Sequence, residues 1–318
     1  MRVHHLPPFG LGCAPLGNLS RPSADEEASA VLEAAWDAGV RHFDTAPHYG
    51  LGLSEERLGR FLATKPRDEY IVSTKVGRLL RENPEWDGVA LDDQGFAVPA
   101  RLRRRLDYTA AGVRQSAEES LIRLGLDRAD ILYVHDPELS GDPGATEKAL
   151  TGLASLRDQR MVTAIGTGSL GVDALLTTAR SGLADVLMVA NRYTLLDQTV
   201  APDVLEACDQ YGVRIVAAAV FNSGLLATTP SRAARYDYGE VPDDVLARAL
   251  AIDAICARHD VELPAAAIQY PLLDPRVASV VVGATTPDQV LQNLTRLEAH
   301  IPSALWQDLA EQDLVRRL

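Results

Sequence analysis

The stretch SADEEASAVLEAAWDAGVRHFDTA, residues 23–46, reads as one helix, one stop and one strand. Ser23 and Glu26 stand in the spacing of a capping box, which satisfies the free amides at a helix start. Ala28, Val31, Leu32, Ala35 and Trp36 then recur at i, i+3, i+4, i+7 and i+8, one face of a helix. Gly39 follows the last of them and suits a helix C-terminus. The short run RHFDTA (41–46) comes next and reads as a buried strand.

The same alternation continues in both directions. Strand-like runs occur at FGLGCAPL (9–16), YIVSTKV (70–76), ILYVHD (131–136) and VTAIGTG (162–168). They recur at VLMVANRY (186–193), RIVAAAVF (214–221) and VASVVVGA (277–284). Most are continuously apolar rather than alternating, as parallel strands covered on both faces require. Helical patterns lie between them: TAAGVRQSAEESLIRLG with Thr109 as cap and Gly125 as stop, then 172–181, 202–211, 243–259 and 287–299. Eight β/α units with no Pro/Ser-rich linker predict a single (β/α)8 TIM barrel over residues 1–318 rather than an open doubly wound sheet. The GxG of FGLGCA lacks the third glycine and the acidic partner of a dinucleotide fingerprint, so that reading is rejected. Residues 78–107 and 222–242 are too long for simple connections, and the barrel places both at its C-terminal face, where loops build sites. Trp86 and Phe96 in the first of them are candidates to wall a pocket.

Composition narrows the functions. Of 318 residues, 47% are hydrophobic, enough for a large core, and the formal net charge of -13 opposes nucleic acid and anionic membrane partners. Cys13, Cys208 and Cys256 are odd in number and far apart, so they read as reduced buried thiols, without a disulfide frame or a metal site. The N-terminal MRVHHLPPFG lacks the apolar run of a signal peptide, and the most apolar stretches are too short to span a bilayer. A soluble, cytoplasmic protein is expected.

Three strands end on residues that a buried strand disfavours: Asp44, Lys75 and His135. Tyr49 follows Asp44 in a Gly-rich turn. A barrel brings neighbouring strand ends to one mouth, so these four are expected to meet there. A tyrosine in water titrates near about pH 10, and an adjacent ammonium favours its phenolate. A carboxylate keeps that ammonium charged, and a histidine orients the substrate oxygen, which completes a site for proton transfer.

The segments FDTAPHYGLGLSEERLG, VSTKVG and LYVHDP resemble the motifs of the aldo-keto reductases, and the resemblance extends over the whole chain. It implies a (β/α)8 barrel and a nicotinamide cofactor held without a Rossmann fold. It also implies Tyr49 as general acid/base, Lys75 and Asp44 as its tuning pair, and His135 as the group that orients substrate.

The stretch VVVGATTPDQVLQN, 280–293, has Thr286 as a cap, Pro287 at the first helical position and Gln289 in capping-box spacing. A helix start at the mouth suits a phosphate. The resemblance assigns cofactor contacts here to Gly283, Ala284, Thr285 and Gln289, and to Gln292 and Asn293. Gly283 and Gln289 stand where relatives that prefer the 2′-phosphate carry Lys and Arg, so NAD is expected over NADP. Toward the nicotinamide it implies Ser169, Asn191, Phe221 and Ser223. The usual Ser-Asn pair is replaced by Gly168-Ser169, and Ala190 and Ala218 replace a glutamine and an aromatic.

APLGNL, STKVGRLL, RYTLLDQ and VFNSGLLA further resemble a sugar-oxidising branch of the family. The implied reaction oxidises C1 of a cyclic aldose of the L-fucose type to a lactone, with His48, Trp86 and Asn222 at the substrate. Oxidation of pyridoxal, a general aldehyde or ketone reductase, and a nucleotide-binding sensor or regulatory subunit are the alternatives.

Overall fold

The protein is described from a computed structural model covering residues 6–200, 202–237 and 239–317. Eight parallel strands close into a barrel: β1 (Phe9–Gly12), β2 (His42–Asp44), β3 (Ile71–Val76), β6 (Ala129–His135), β7 (Val162–Ser169), β8 (Val186–Ala190), β9 (Arg214–Ala218) and β10 (Val277–Gly283). The ring runs β1-β10-β9-β8-β7-β6-β3-β2 and back to β1. The expected barrel is therefore present; six strands are one to a few residues shorter than the apolar runs suggest, and β6 and β7 are one residue longer. The remaining pair, β4 (Arg78–Glu82) and β5 (Leu102–Leu106), is an antiparallel hairpin built from the long segment after β3.

Helices α1 (Asp25–Asp37), α2 (Leu53–Leu62), α3 (Ala110–Leu124), α4 (Ala145–Asp158), α5 (Val172–Arg180) and α6 (Asp203–Tyr211) follow the first six barrel strands in turn. Beyond them lie α7 (Asp243–Arg258), α8 (Leu263–Gln269), α9 (Pro287–Glu298) and α10 (Ser303–Glu311). α2, α4, α8 and α10 add to the helices expected from the sequence. No helix among the described residues is long and apolar enough to cross a membrane.

Strand alternation sorts the side chains. Leu11, Phe43, Val72, Leu187, Ile215 and Val280 pack outward into one core with α1, α2, α5, α6 and α9. Ile131, Tyr133, Met188, Val216 and Val281 belong to a separate cluster, the inward-facing set that fills the barrel. A third cluster, Leu195, Leu225, Ile252, Ile255, Leu305 and Leu309, joins α7 and α10 to the loops after β8 and β9. The three cysteines are buried free thiols, and burial raises all three pKa values.

Both ends of α3 follow the sequence, whereas the start of α1 does not. Thr109 accepts from Gly112 N, and Gly125 takes the left-handed turn that ends α3. The expected Ser23 cap is corrected: Ala24 precedes α1 without a side-chain bond. Ser23 Oγ instead donates to Asn18 Oδ1 at 2.9 Å, a group that Arg57 Nη1 also binds at 2.7 Å. Asp25, Glu26 and Glu27 in the first turn complement the helix dipole in its place.

Candidate active site

Asp44 and Lys75 end up side by side because β2 and β3 pair in register, with His42 opposite Ile71 and Asp44 opposite Ser73. Each is 2% exposed. Lys75 Nζ donates to Asp44 Oδ2 at 2.7 Å and to Thr45 O at 2.9 Å. Burial alone would push this amine toward its neutral form. Asp44 first, and then Tyr49, outweigh that penalty by charge and hydrogen bonding, so the Lys75 pKa is raised and the ammonium is firmly held. Nζ lies 4.8 Å from the centroid of the Tyr49 ring. The site therefore contains a buried, permanently charged ammonium between a carboxylate and a phenol.

The Tyr49 loop is fixed by a backbone-to-backbone contact. Gly50 has φ 64, and a β-carbon there would meet Gly17 O at 2.3 Å; one on Gly17 would meet the carbonyl carbon of Tyr49 at 2.5 Å. Only two glycines allow the turn after β1 to lie against this loop. On the other side, Phe96 closes over the site, 5.2 Å from the His48 ring and 6.1 Å from the Tyr49 ring between centroids. Phe96 belongs to a small apolar cluster with Leu51, Leu80 and Val98, against which Tyr49 also packs. Phe96 thus brings the segment between β4 and β5 against His48 and Tyr49.

His135, at the end of β6, completes the group, with its ring 6.0 Å from that of Tyr49 and 5.6 Å from that of His48. Burial, then the positive charge of Arg78, depress both imidazoles: His48 to about 2, and His135 well below the ordinary value. Both rings are neutral at working pH, and both Nδ1 atoms are buried without a partner. Arg104 Nη2 donates to His48 O at 2.8 Å and pairs with Asp92. Arg78, 5% exposed, pairs with Asp136, whose Oδ2 lies 3.5 Å from His135 Nε2. Burial raises the Asp136 carboxyl to about 6, against the opposing pull of Arg78.

The residues expected at the cofactor face fall in two places. At the end of β7, Ser169 Oγ donates to Glu138 Oε1 at 2.5 Å and accepts from Gly171 N at 2.7 Å. Beyond β8, Asn191 is fully buried with φ 59, donates to Asp237 Oδ1 at 3.1 Å, and leaves Oδ1 without a partner. Asn222 braces it: its amide nitrogen donates to Asn191 O, and its oxygen accepts from Thr194 Oγ1. Ser223 sits next to it with φ 59, and Phe221 packs between two cores. Asp237 also pairs with Arg192 at 2.7 Å, so segment 222–242 is tied to this face.

The second place is the start of α9. Thr286 accepts from Gln289 N, as the cap predicts, whereas Gln289 Oε1 accepts from Thr285 N at 2.8 Å, one residue earlier than a regular capping box. Gly283, Thr285 and Gln292 are exposed, and Ala284 and Asn293 are buried. A shallow cleft beside Ala284 and Thr285 is also lined by Pro15, Leu16 and Arg21, and Arg21 is engaged with Glu27 at 3.3 Å. Trp86 lies apart from these groups in its contacts: its indole donates to Ala90 O, and Arg101 lies over its ring.

A parallel barrel whose mouth gathers a tyrosine, a charged lysine, its carboxylate and neutral imidazoles is the frame of a proton-transferring enzyme. The chain matches the model of the aldo/keto reductase family over residues 8–313, belongs to that family, and is an oxidoreductase. Nicotinamide nucleotides are the cofactors of the family. It is 54% identical to D-threo-aldose 1-dehydrogenase of Pseudomonas sp, over 98% of this chain and 95% of that protein. It is 36% identical to pyridoxal 4-dehydrogenase of Microbacterium luteolum, over 96% and 94% respectively. Among solved structures, an aldo-keto reductase from Bacillus halodurans (holo form) shares the fold, with a TM-score of 0.75 and 21% identity over 97% of this chain and 92% of that one.

Several groups at the site escape a reading by motif. Arg78, Arg104 and Asp136 come from the hairpin and from the residue after His135, and their convergence is tertiary. His42 and Ser73 carry a usable signal: each lies two residues before a named site residue, on the same face of its strand.

Proposed function

We propose that this enzyme oxidises the C1 hydroxyl of a cyclic aldose of the L-fucose type to the lactone, with NAD preferred over NADP. The observation that carries the reading is the buried Lys75 held charged between Asp44 and Tyr49. The 54% identity to an aldose 1-dehydrogenase supports the substrate class.

The neutral imidazoles of His135 and His48 hold the anomeric oxygen by hydrogen bonds over the mouth, acting as dipoles rather than charges. Tyr49, as phenolate, takes the hydroxyl proton, and the Lys75 ammonium stabilises the anion before transfer. Asp44 balances the lysine charge and fixes its position, so the ammonium needs little rearrangement during reaction. As the O–H proton leaves for Tyr49, the C1–H bond breaks and C1 becomes the lactone carbonyl. A bound nicotinamide supplies the hydride acceptor. The unpaired Oδ1 of Asn191 suits a carboxamide donor, and Ser169, Phe221 and Ser223 are the further groups assigned to the nicotinamide end. The start of α9, with Gly283, Ala284, Thr285 and Gln289 and then Gln292 and Asn293, suits the phosphate and adenosine end. No Lys or Arg lies in 283–293, which favours the cofactor without a 2′-phosphate.

The three buried thiols fit a reducing cytoplasm. A panel of aldoses and pyridoxal, run with NAD and NADP in parallel, tests the reading. Reduction of NAD by L-fucose or a related aldose supports it. Turnover of pyridoxal alone would move the assignment to the second relative, and nucleotide binding without turnover would favour a sensor.

A further inference from the structure

The Asp44 carboxylate has two oxygens, and only Oδ2 faces Lys75. Oδ1 accepts from Ser73 Oγ at 2.8 Å, and that hydroxyl lies 3.1 Å from His42 Nε2. A hydroxyl has one proton, and Ser73 gives it to the carboxylate, so its lone pair must accept from the imidazole. The tautomer of His42 follows: the proton is on Nε2, and Nδ1 is bare. Nδ1 is indeed buried without a partner, facing Gly10, where an added β-carbon would stand 2.7 Å from it. His42 and Ser73 are both fully buried, on the same inward faces of β2 and β3 as Asp44 and Lys75. Filling the inside of a barrel with a polar chain costs desolvation unless each member is satisfied. Here both links toward the carboxylate are made, the far Nδ1 of His42 is left bare, and the chain points one way.

We propose that His42 and Ser73 are positioning residues of the proton-transfer site, a two-link donor chain that holds the Asp44 carboxylate with its Oδ2 turned to Lys75. The inference rests on the reading of Tyr49, Lys75 and Asp44 given above. His42 is held neutral, its pKa lowered to about 4 by burial against the opposing pull of Asp44 and Asp130, so it contributes a directed N–H and no charge. Besides Lys75 and His42, the charged or titratable groups acting on Asp44 are Cys13, just after β1, and Tyr133 on β6, while Tyr49 acts on Lys75. Burial raises the pKa of Cys13 and Tyr133, so neither adds a charge near neutrality.

Without the donor chain the carboxylate loses a hydrogen bond to its charged form and the ammonium loses its fixed seat. Both effects move the acid limb of the activity profile to higher pH. The test compares Ser73→Ala and His42→Leu, which break the chain, with Ser73→Thr and His42→Gln, which keep a hydroxyl and an N–H in reach. Tyr49→Phe is assayed alongside, and all variants are checked for melting temperature. The readouts are kcat and KM for the best aldose with NAD across pH. The expected result is a kcat loss of about 10- to 100-fold in the broken pair, the range of a charge-assisted hydrogen bond. KM should change little, the acid limb should move up, and the Thr and Gln variants should recover most of the rate. Wild-type kcat and acid limb in Ser73→Ala and His42→Leu, with Tyr49→Phe inactive, would overturn the inference alone. Equal losses in all four variants without a shifted limb would also overturn it, leaving only a packing role. Full turnover by Tyr49→Phe would instead bring down the reading on which it rests.

Discussion

Replacing Gly17 with alanine tests how closely the rate depends on where the Tyr49 loop lies. The new β-carbon would stand 2.5 Å from the Tyr49 carbonyl carbon and 2.7 Å from Gly50 N, where ordinary contact begins at 3.4 Å. These are backbone atoms, so no side chain can swing aside, and the two segments must part by about 0.9 Å. Tyr49 moves with its loop, away from an ammonium 4.8 Å from its ring. A misplacement of about 1 Å at reacting groups costs on the order of 100-fold in rate, and overpacking of this kind costs about 1–3 kcal/mol of stability. Steady-state kinetics of Gly17→Ala with NAD and aldose should show kcat falling by about 100-fold, while NAD affinity, measured by fluorescence quenching, falls far less. A folded Gly17→Ala enzyme with wild-type kcat would show that the placement of Tyr49 is not what sets the rate.

Acidification provides another check. His42, His48 and His135 are buried neutral, with folded pKa values depressed below the unfolded one, so the unfolded chain takes up protons first and stability falls as pH falls below about 6.5. Between about pH 7.5 and about pH 5.5 each ring that stays neutral costs about 1.4 kcal/mol. Asp136, raised to about 6, runs the other way and returns roughly 1 kcal/mol over that range. Denaturant titrations should therefore show a net loss of about 3 kcal/mol from these groups, with a shallower slope in His42→Gln; an unchanged slope in that variant would contradict the neutral assignment. For the cofactor, kcat/KM with NAD should exceed that with NADP by about 10-fold or more, and Gln289→Arg should narrow the gap; a preference for NADP in the unmodified enzyme would refute the reading. Thr286→Ala removes the side-chain cap of α9 and should cost about 1 kcal/mol in stability while weakening cofactor binding more than it lowers kcat.

The barrel was legible because parallel strands leave continuous apolar runs and the helices between them carry caps and stops. Asp44, Lys75 and His135 could be found because each breaks such a run at its C-terminal end, and Tyr49 because it follows in a glycine turn. The segment 78–107 was visible only as excess length, since β5, LRRRL, is charged and half exposed and mimics a solvated loop. Ser23 shows the limit of local spacing: the capping pattern was present, but Asn18 and Arg57 competed for the same hydroxyl through tertiary contacts. Arg78, from the β4 strand of the hairpin, and Asp136, after β6, meet through the tertiary fold, and no periodicity records such a meeting. His42 and Ser73 were readable by strand alternation once Asp44 and Lys75 had been placed.

The central claim is that Tyr49 carries the proton, poised by Lys75 and Asp44. Its most direct test is single-turnover oxidation of L-fucose, or of the best aldose in the panel, by the NAD-loaded enzyme and its Tyr49→Phe variant. The account predicts that NADH forms with the intact enzyme and that removing the hydroxyl lowers the hydride-transfer rate by about 100-fold or more, with NAD still bound. A Tyr49→Phe enzyme that oxidises the sugar at the wild-type rate would contradict it.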